Sequence, residues 1–566
     1  MKHTPPTGPF AAECLLGQMK AAGIDVIFAN GGTDFPSLIE ALARSANTGI
    51  AMPEPLVIPH EGVAVGMAHG YFLMTNKPAA VMVHVNVGLA NAVMGLINAA
   101  SENVPILICS GRTPITESGR FGSRSSPIHW GQEMRDQGSM VREIVKWDYE
   151  LRYPEQAGVV ISRAVNIALS EPCGPVYLSL PREVLAEGTG ETPRPASPIA
   201  PTRYGPPRAE AVAAAADILS KAKSPLVIAQ SPELGDSFEP FASLVERFAL
   251  PVVEYWAPRQ SLPTSHPMHV GRDPGAFVKE ADVVVLLNAM VPWISDHIAL
   301  KEGCKVISIG PDPQFPAVPM RSFELDVSLG GGTSQAIAAL TAAMAERVPA
   351  GEEFGARRAR IAAVKSEQAA AADRRIKSGS GSPMTSAWVS HCVSQVMSDK
   401  TTLFNELGVD PSVMTFEAPK SFFSAPLSGG LGWGLPAALG AQLADRTRQV
   451  IAAVGDGSYM FANPVACHQT AAALKLPLLT IVFNNGIWNA VRRSTLYMYP
   501  SGSAASATVM PITALEPSPD YCAIARAHGA YAERVNVGTE LPSALDRALA
   551  ATRGGQQALL EVMISR

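Results

Sequence analysis

The feature that most constrains the fold of this chain is a strand, helix, strand pattern between residues 450 and 486. An apolar strand, Val450–Val454, runs into Gly455-Asp456-Gly457, and an alanine-rich helical segment follows. A second apolar strand, Leu478–Phe483, ends at Asn484-Asn485-Gly486. Two strands joined in this way lie parallel in one sheet, with their carboxyl ends at the same edge. The pattern therefore predicts an open α/β sheet with polar residues at its ligand-binding edge.

The side chains at that edge indicate a metal and a phosphate. Asp456 and one Asn of the pair supply hard oxygen ligands, which suit Mg²⁺ when phosphate oxygens complete its shell. The neighbouring glycines allow a diphosphate to approach the backbone closely. An ordinary glycine-rich turn is the alternative, and Gly-Asp-Gly alone does not separate the two. The Asn pair at this distance, with strands on both sides, favours a site for Mg²⁺ bridging a diphosphate.

Gly-Asp-Gly followed at this distance by Asn-Asn resembles the signature of thiamine diphosphate enzymes, with a spacer slightly longer than expected. The resemblance implies thiamine diphosphate and Mg²⁺ as cofactors. It also implies that Asp456 and Asn485 bind the metal through their side chains and Ile487 through its main-chain carbonyl. Gly457 and Ser458 would contact the phosphate.

Composition excludes several classes of protein. A length of 566 residues suggests three or four domains, and 47% hydrophobic with 17% charged residues is typical of a globular α/β enzyme. A net charge of −5 offers no basic surface for nucleic acid. The seven cysteines are scattered without C-x-x-C spacing, which argues against disulfides and zinc. Polar residues and glycines interrupt the apolar segment 78–100, so it predicts a strand and helix rather than a membrane span, and a cytoplasmic protein is expected.

The order of strands and helices predicts three doubly wound parallel-sheet α/β domains. They span residues 1–188, 209–345 and 384–566. A proline-rich linker, Gly190–Arg208, separates the first two, and a charged helix, Glu352–Lys377, leads into the third. This layout resembles that of thiamine diphosphate decarboxylases and acetohydroxyacid synthases over nearly the whole chain. The three domains are then the pyrimidine-binding, central and diphosphate-binding domains.

Glu61 is the strongest candidate catalytic residue. It follows a short apolar strand and opens a helix of small residues. Read from the sequence alone, such an acid could simply favour a helix N-terminus. The resemblance implies more: this is the glutamate whose carboxyl group hydrogen-bonds the aminopyrimidine ring of the cofactor and favours its imino tautomer.

The segment Ser428–Asp445 resembles the part of the family that bends the cofactor. Leu431 would lie under the bend, and the backbone of Gly429 would contact the aminopyrimidine. Packing of a helix against the sheet also explains the glycines, and we expect both roles here. The stretch Thr402–Gly408 resembles a turn that meets the diphosphate, where the lack of hydroxyl residues leaves backbone N–H groups as the donors.

The branch of the family depends on four residues. His84, at the end of a strand, resembles a histidine of benzoylformate decarboxylase, and Thr33 replaces that enzyme's substrate-binding serine. His266 matches the segment that carries its second active-site histidine. His84 could instead be a core residue, and His266 could cap a loop. The loop Phe121–Met134 resembles that of the synthases, with Gln132 as the residue that enters the site.

These residues predict an enzyme that uses thiamine diphosphate and Mg²⁺ to cleave or form the bond next to a carbonyl. Decarboxylation of a 2-oxo acid is the first expectation, with His84 and His266 relaying protons and an aldehyde as product or acceptor. The alternatives are an acetolactate synthase-like carboligase and a non-catalytic cofactor-binding homologue. Ala229–Glu233 lacks a glycine cluster, so no flavin is expected, and no G-x-G-x-x-G follows the first strand.

The resemblance also implies an assembly. In this family the glutamate and the diphosphate site come from different chains, so a homodimer or homotetramer is expected. The irregular, Ser- and Pro-rich segment Arg493–Pro519 follows the Asn-Asn strand and is predicted to be a mobile cover.

Overall fold

The computed structural model describes residues 8–190, 200–230, 237–349 and 354–566, which contain three sheets made only of parallel strands. These sheets lie in two compact units. The first unit comprises the described residues up to Thr202 together with Pro426–Arg446 and Ser458–Leu478. The second comprises those of Arg203–Ala425, Thr447–Gly457 and Leu479–Arg566. The predicted fold class, α/β with three parallel-sheet domains, is confirmed.

The first sheet lies in the first unit. Its strands are β1 Val26–Ala29, β2 Glu54–Val57, β3 Ala79–Val83, β4 Ile106–Arg112, β5 Asp148–Glu150 and β6 Val176–Pro181. The helices of this part of the chain are α1 Ala11–Ala21, α2 Pro36–Thr48, α3 Glu61–Thr75, α4 Val85–Ser101, α5 Ile128–Gly131, α6 Ala157–Leu169 and α7 Arg182–Ala186. The spatial order is β2-β1-β3-β4-β6-β5. The segment predicted as a strand and helix forms β3 and α4, and no helix in the described ranges is long and apolar enough to span a membrane.

The second sheet lies in the second unit. Its strands are β7 Pro225–Ala229, β8 Val252–Val253, β9 Val283–Leu287, β10 Lys305–Gly310 and β11 Val327–Gly330, in the order β11-β10-β9-β7-β8. Its helices are α8 Ala209–Ser220, α9 Phe238–Arg247, α10 Gly275–Glu280 and α11 Thr333–Arg347, followed by the long α12 Gly355–Lys377. Parts of three predicted segments lie outside the described residues. They are residues 191–199 of the linker, 231–233 of the turn used for the flavin argument and 352–353 of the charged helix.

The third sheet, also in the second unit, contains the pattern that opened the sequence argument. Its strands are β12 Thr401–Glu406, β13 Phe422–Ser424, β14 Gln449–Gly455, β15 Leu479–Asn484, β16 Tyr531–Val535 and β17 Ala558–Met563. The helices of this part of the chain are α13 Ser386–Gln395, α14 Gly434–Ala444, α15 Asp456–Phe461, α16 Pro464–Leu474, α17 Asn489–Met498, α18 Tyr521–Arg526 and α19 Leu541–Arg553. The order is β13-β12-β14-β15-β17-β16, and β14 and β15 pair in parallel as predicted.

The first and third sheets share one topology. The strand order of the third sheet is that of the first sheet with eleven added to every strand number. β1 therefore corresponds to β12, and β3 to β14. In both sheets the chain reverses its winding direction between these two strands. Ligands of open α/β sheets bind outside the carboxyl ends of the strands at such a switch point. The residues that follow β1, β3, β12 and β14 are therefore the positions at which function is expected.

Two helices of the first unit pack with almost no space between their backbones. A Cβ added to Gly70 on α3 would overlap the carbonyl of Ala437 on α14, and one added to Gly440 on α14 would overlap the carbonyl of Met67 on α3. Glycine permits this approach because it has no side chain. The contact fixes α3, which begins at Glu61, against the helix that follows Leu431.

The predicted irregular segment Arg493–Pro519 is wrong at its start, because α17 continues to Met498. Residues 499–519 contain no further helix or strand. Their far end is fixed by backbone hydrogen bonds, from Trp488 N–H to the Thr513 carbonyl at 2.7 Å and from Leu515 N–H to the Gly486 carbonyl at 2.9 Å.

Candidate active site

Glu61 is the first residue of α3, as predicted. The helix is capped by His60, whose Nδ1 accepts the N–H of Gly62 at 3.1 Å. The Glu61 carboxylate is half-buried, and its Oε2 accepts a hydrogen bond from Asn91 Nδ2 at 3.3 Å. A Cβ on Gly88 would come within 3.2 Å of the other carboxylate oxygen. The residue therefore presents an acid at the carboxyl edge of the first sheet, among small neighbours.

His84 lies between β3 and α4, and its imidazole is held at both nitrogens. Nδ1 lies 2.5 Å from Oδ1 of Asp34, a carboxylate with 5% exposure. The second oxygen of Asp34 accepts the N–H of Val85 at 3.2 Å. The hydrogen bond to Asp34 raises the pKa of His84 above its ordinary value, because the carboxylate favours the charged ring. Polar partners therefore hold both nitrogens of the imidazole, and a part in the reaction stays a prediction.

Gln132 contacts the other side of the same ring, with its Nε2 at 3.0 Å from Nε2 of His84. The decarboxylase-like histidine and the synthase-like glutamine are thus in direct contact. With the ring proton on Nδ1 facing Asp34, Nε2 of His84 is the acceptor of the glutamine N–H.

Sequence reasoning missed Asp34. Its partner His84 is fifty residues away in the chain, but β1 and β3 are neighbours in the sheet and both residues follow their carboxyl ends. Thr33, the predicted substrate-binding residue, is exposed in the same turn. The turn needs a glycine at position 32, since a Cβ there would overlap both Asp34 and His84. Strand order, which the sequence alone did not provide, was the missing signal.

Asp456, in the second unit, is buried at the end of β14 with 3% exposure. Its Oδ1 accepts the N–H of Gly457 at 2.9 Å and its Oδ2 the N–H of Gly486 at 2.8 Å. Burial raises the pKa of Asp456, because it disfavours the charged form. The Asp456 carboxylate and the turn after β15 are therefore joined directly, as their parallel strands require.

The other two predicted metal ligands lie in that turn. Asn485 Oδ1 accepts the N–H of Ile487 at 3.0 Å, and the Ile487 carbonyl accepts the N–H of Asn489 at 2.9 Å. The turn thus presents oxygen atoms of the kinds that Mg²⁺ prefers. Asn489 was not among the predicted residues, and its Oδ1 is buried with no hydrogen-bond partner in the described part of the chain.

A buried support lies behind this turn and was also missed. Glu561 on β17 is fully buried and accepts a hydrogen bond from Asn484 Nδ2 at 2.8 Å. Arg534 balances its charge, with Nε 2.8 Å from Oε2. Asn484 in turn accepts the N–H of Gly486 at 3.0 Å. The first Asn of the pair therefore shapes the turn, and the second carries the predicted metal oxygen.

Gly457 and Ser458 are the residues predicted to contact the phosphate. Gly457 faces the ring of Trp488, which a Cβ would overlap. Ser458 has 2% exposure, and its Oγ has no hydrogen-bond partner among the described residues. A buried hydroxyl without a partner costs free energy that a ligand oxygen would recover. The Ser458 hydroxyl therefore suits a diphosphate oxygen, whereas the Gly457 N–H is donated to Asp456 Oδ1.

Gly429 and Leu431 belong to the first unit. Gly429 has φ +71°, a conformation that favours glycine, and open space surrounds the position where a Cβ would be. Leu431 is half-buried, and the following Gly432 lies against the backbone of Phe461. The open position fits the predicted approach of a ligand to the Gly429 backbone.

Backbone N–H groups of the turn after β12 were predicted to contact the diphosphate, but two of them are hydrogen-bonded to the Asn405 side chain. Asn405 Oδ1 accepts the N–H groups of Gly408 at 3.1 Å and Val409 at 2.9 Å. Two of the backbone donors expected to meet the diphosphate are therefore occupied within the chain.

His266, in the second unit, has the contacts of a loop residue. Its Nδ1 accepts the N–H of Met268 at 3.1 Å, and its Nε2 lies 3.6 Å from a carboxylate oxygen of Glu246. Lys365 donates to its backbone carbonyl at 2.5 Å. Burial lowers the pKa of His266. These contacts are of the kind that the loop-capping alternative requires, and a part of His266 in proton transfer stays a prediction.

Comparison with known proteins identifies the family. Three thiamine pyrophosphate enzyme family models match the chain: the N-terminal TPP binding domain over residues 10–140, the central domain over 212–340 and the C-terminal TPP binding domain over 411–562. The chain belongs to the thiamine pyrophosphate enzyme family. Thiamine pyrophosphate is thiamine diphosphate, the cofactor that the Gly-Asp-Gly and Asn-Asn pattern predicted.

The relatives in this family include decarboxylases at low identity. The chain is 27% identical over 537 residues to a probable 2-ketoarginine decarboxylase of Pseudomonas aeruginosa, covering 92% of this chain and 88% of the relative. It is 28% identical over 520 residues to a benzoylformate decarboxylase of the same organism, covering 87% and 89%. A solved structure of a putative thiamin diphosphate-dependent enzyme from Mycobacterium smegmatis matches with a TM-score of 0.77 at 25% identity over 100% of both chains.

Proposed function

We propose that this protein is a thiamine diphosphate- and Mg²⁺-dependent enzyme that decarboxylates a 2-oxo acid. The observation that carries the proposal is His84, fixed by Asp34 at the switch point of the first sheet with Nε2 on the side away from that carboxylate. Family membership and the two decarboxylases among the relatives support the same class of reaction.

The residues of the second unit would hold the metal. Asp456 and Asn485 supply side-chain oxygens and Ile487 a carbonyl, while Gly457 and Ser458 would contact the diphosphate. The bound cofactor supplies an acceptor for the electron pair of the carbon–carbon bond that breaks next to the carbonyl. Protein groups have to orient this cofactor, exclude water and manage protons.

Two residues of the first unit would manage those protons. The Glu61 carboxyl would hold a proton toward the aminopyrimidine ring. His84 would give or take a proton at the substrate, a step that a positioned imidazole accelerates by about 10²–10⁴-fold. Thr33, exposed beside Asp34, would hydrogen-bond the substrate carboxylate.

The test is product analysis of the reconstituted holoenzyme. The protein loaded with thiamine diphosphate and Mg²⁺ is incubated with pyruvate, benzoylformate, 2-ketoarginine and branched 2-oxo acids. Carbon dioxide release and the mass of each product are then measured. We expect an aldehyde one carbon shorter than its substrate, and no product from Glu61→Gln. Absence of carbon dioxide release from every acid in the panel would reject the proposal.

A second candidate function is carboligation, as in acetolactate synthases. The contact between Gln132 and His84 favours it, because this loop resembles that of the synthases. Product analysis of reactions with pyruvate alone, and with pyruvate plus an aldehyde acceptor, distinguishes carboligation from decarboxylation. Acetolactate as the main product from pyruvate would place the enzyme with the synthases.

A further inference from the structure

We propose that Asp34 is a positioning residue that holds the His84 imidazole with its proton on Nδ1, so that Nε2 is the nitrogen that exchanges a proton with the substrate. The inference rests on the proposed function, because it assigns a task to an atom of that site. Its basis is the 2.5 Å contact between Nδ1 and Asp34 Oδ1.

The Asp34 carboxylate has little freedom to turn away. Its second oxygen accepts the Val85 N–H at 3.2 Å, and the residue is 95% buried in a turn closed by Gly32. A Cβ added at Gly111, on β4, would overlap the same carboxylate. One rigid group therefore fixes the imidazole and the first residue of α4 together.

Gln132 can serve both states of the ring. When His84 is neutral with its proton on Nδ1, Nε2 accepts an N–H from the Gln132 amide, 3.0 Å away. When Nε2 is protonated, rotation of the amide presents its carbonyl oxygen instead. An amide can accept or donate at the same place, so the glutamine accommodates a proton arriving at or leaving Nε2. A carboxylate that fixes the other nitrogen of a histidine in this manner sets the tautomer of a general base.

The charges around the ring favour its protonated form. Among the described residues, Asp34 from the turn after β1 and Glu61 from α3 act on His84, and both are acidic. Because the folded pKa is raised, the Asp34–His84 contact stabilises the fold below about pH 6.5, and this contribution is lost as the pH rises through the folded value.

The experiment measures His84 itself. Exchange of the ring C2 hydrogen for deuterium, followed by mass spectrometry across a pH series, gives a titration midpoint for each histidine of the full-length holoenzyme. We expect the wild-type midpoint of His84 to lie above that of a free histidine, about 6.5. Asp34→Asn should move it to lower pH, and His266 should not change. Asp25→Asn, an aspartate exchange at the other end of β1, is the matched control and should leave His84 unchanged.

Kinetics of the same variants test the assignment of the two nitrogens. Asp34→Asn should slow single-turnover decarboxylation by about 10²-fold or more and shift its pH profile in the same direction as the midpoint. His84→Asn, whose amide nitrogen can replace Nδ1 but not Nε2, should lose decarboxylation while keeping cofactor affinity.

Three results would overturn the proposal: a wild-type midpoint at or below 6.5, a midpoint that Asp34→Asn does not move, or normal turnover by His84→Asn. The wild-type measurement decides even if Asp34→Asn fails to fold. If the titration midpoints agree with expectation while the enzyme turns over no 2-oxo acid, the result rejects the decarboxylase function and still supports the role of Asp34 in holding the ring.

Discussion

At the scale of single residues, Asp456 is the group on which cofactor binding should depend. Asp456→Ala removes the buried carboxylate that would bridge the metal to the protein and that now orders the turn after β15. Titration calorimetry should then show that Mg²⁺ no longer promotes thiamine diphosphate binding. Asp546→Ala, an exposed exchange on α19, is the control. Unchanged affinity in the Asp456 variant would contradict our interpretation of the turns after β14 and β15.

Glu61 and His84 should fail at different steps. Glu61→Gln keeps the shape of the side chain but removes the acid, so hydrogen–deuterium exchange at the thiazolium carbon of the bound cofactor should be suppressed. The reaction of every substrate should therefore also slow. His84→Ala should leave that exchange intact and slow single-turnover decarboxylation by about 10²–10⁴-fold. A folded His84→Ala enzyme with native turnover would show that His84 has no part in the reaction, and the synthase-like alternative would then lead.

What the sequence predicted at this scale follows a physical pattern. Residues within one βαβ unit, such as Asp456 and Asn485, could be placed together because parallel strands bring their ends to one edge. Asp34 and Glu561 could not, because each meets its partner through the lateral order of strands. His266 was assigned to the active site because its local sequence segment resembles that of benzoylformate decarboxylase. In the fold its imidazole contacts the Met268 N–H and Glu246.

At the scale of elements, the contact between α3 and α14 predicts which glycine is indispensable. Gly70→Ala would force the two backbones apart, at a cost of about 1–3 kcal/mol in the free energy of unfolding. Gly158→Ala on α6 is the matched control, since its Cβ would meet only Gln18, at 3.9 Å, and helix propensity should stabilise it by about 0.5–1 kcal/mol. Denaturant unfolding checks both, and equal effects would contradict the packing argument.

The segment 499–512 remains a predicted cover. It leaves α17 after Met498 and returns at Thr513, which is bonded to the turn after β15. A substrate analogue should therefore slow proteolysis between these two anchors. Equal cleavage rates with and without the analogue would reject a covering role.

Strand boundaries were predicted well where the strand is buried along its length. β14 and β15 begin and end within one residue of their predicted bounds, because their central residues are buried. The part of α17 from Arg493 to Met498 was predicted to be irregular, and none of the residues of this helix is buried. The predicted domain bounds stay a prediction.

At the scale of the whole molecule, we predict an obligate homodimer that can pair into a tetramer. One chain exposes apolar side chains on helices of its first unit: Val87 and Ile97 on α4, Phe461 at the end of α15 and Val465 on α16, with exposures from 41% to 59%. In the predicted assembly a partner would cover exposed apolar side chains such as these. Sedimentation at assay concentration should give no monomer, and a fully active monomer would contradict the prediction.

The position of β17 has a consequence for how the protein is made. Asp456, Asn485 and Ile487 are all translated before β17, yet that strand pairs with β15 along its length and carries the Glu561 that holds Asn484. A nascent chain that ends near Met498 would contain every metal ligand proposed here and lack the strand that shapes their turn. We therefore expect cofactor loading to follow synthesis and insertion of β17, so that a ribosome-bound chain cannot capture the cofactor as it emerges.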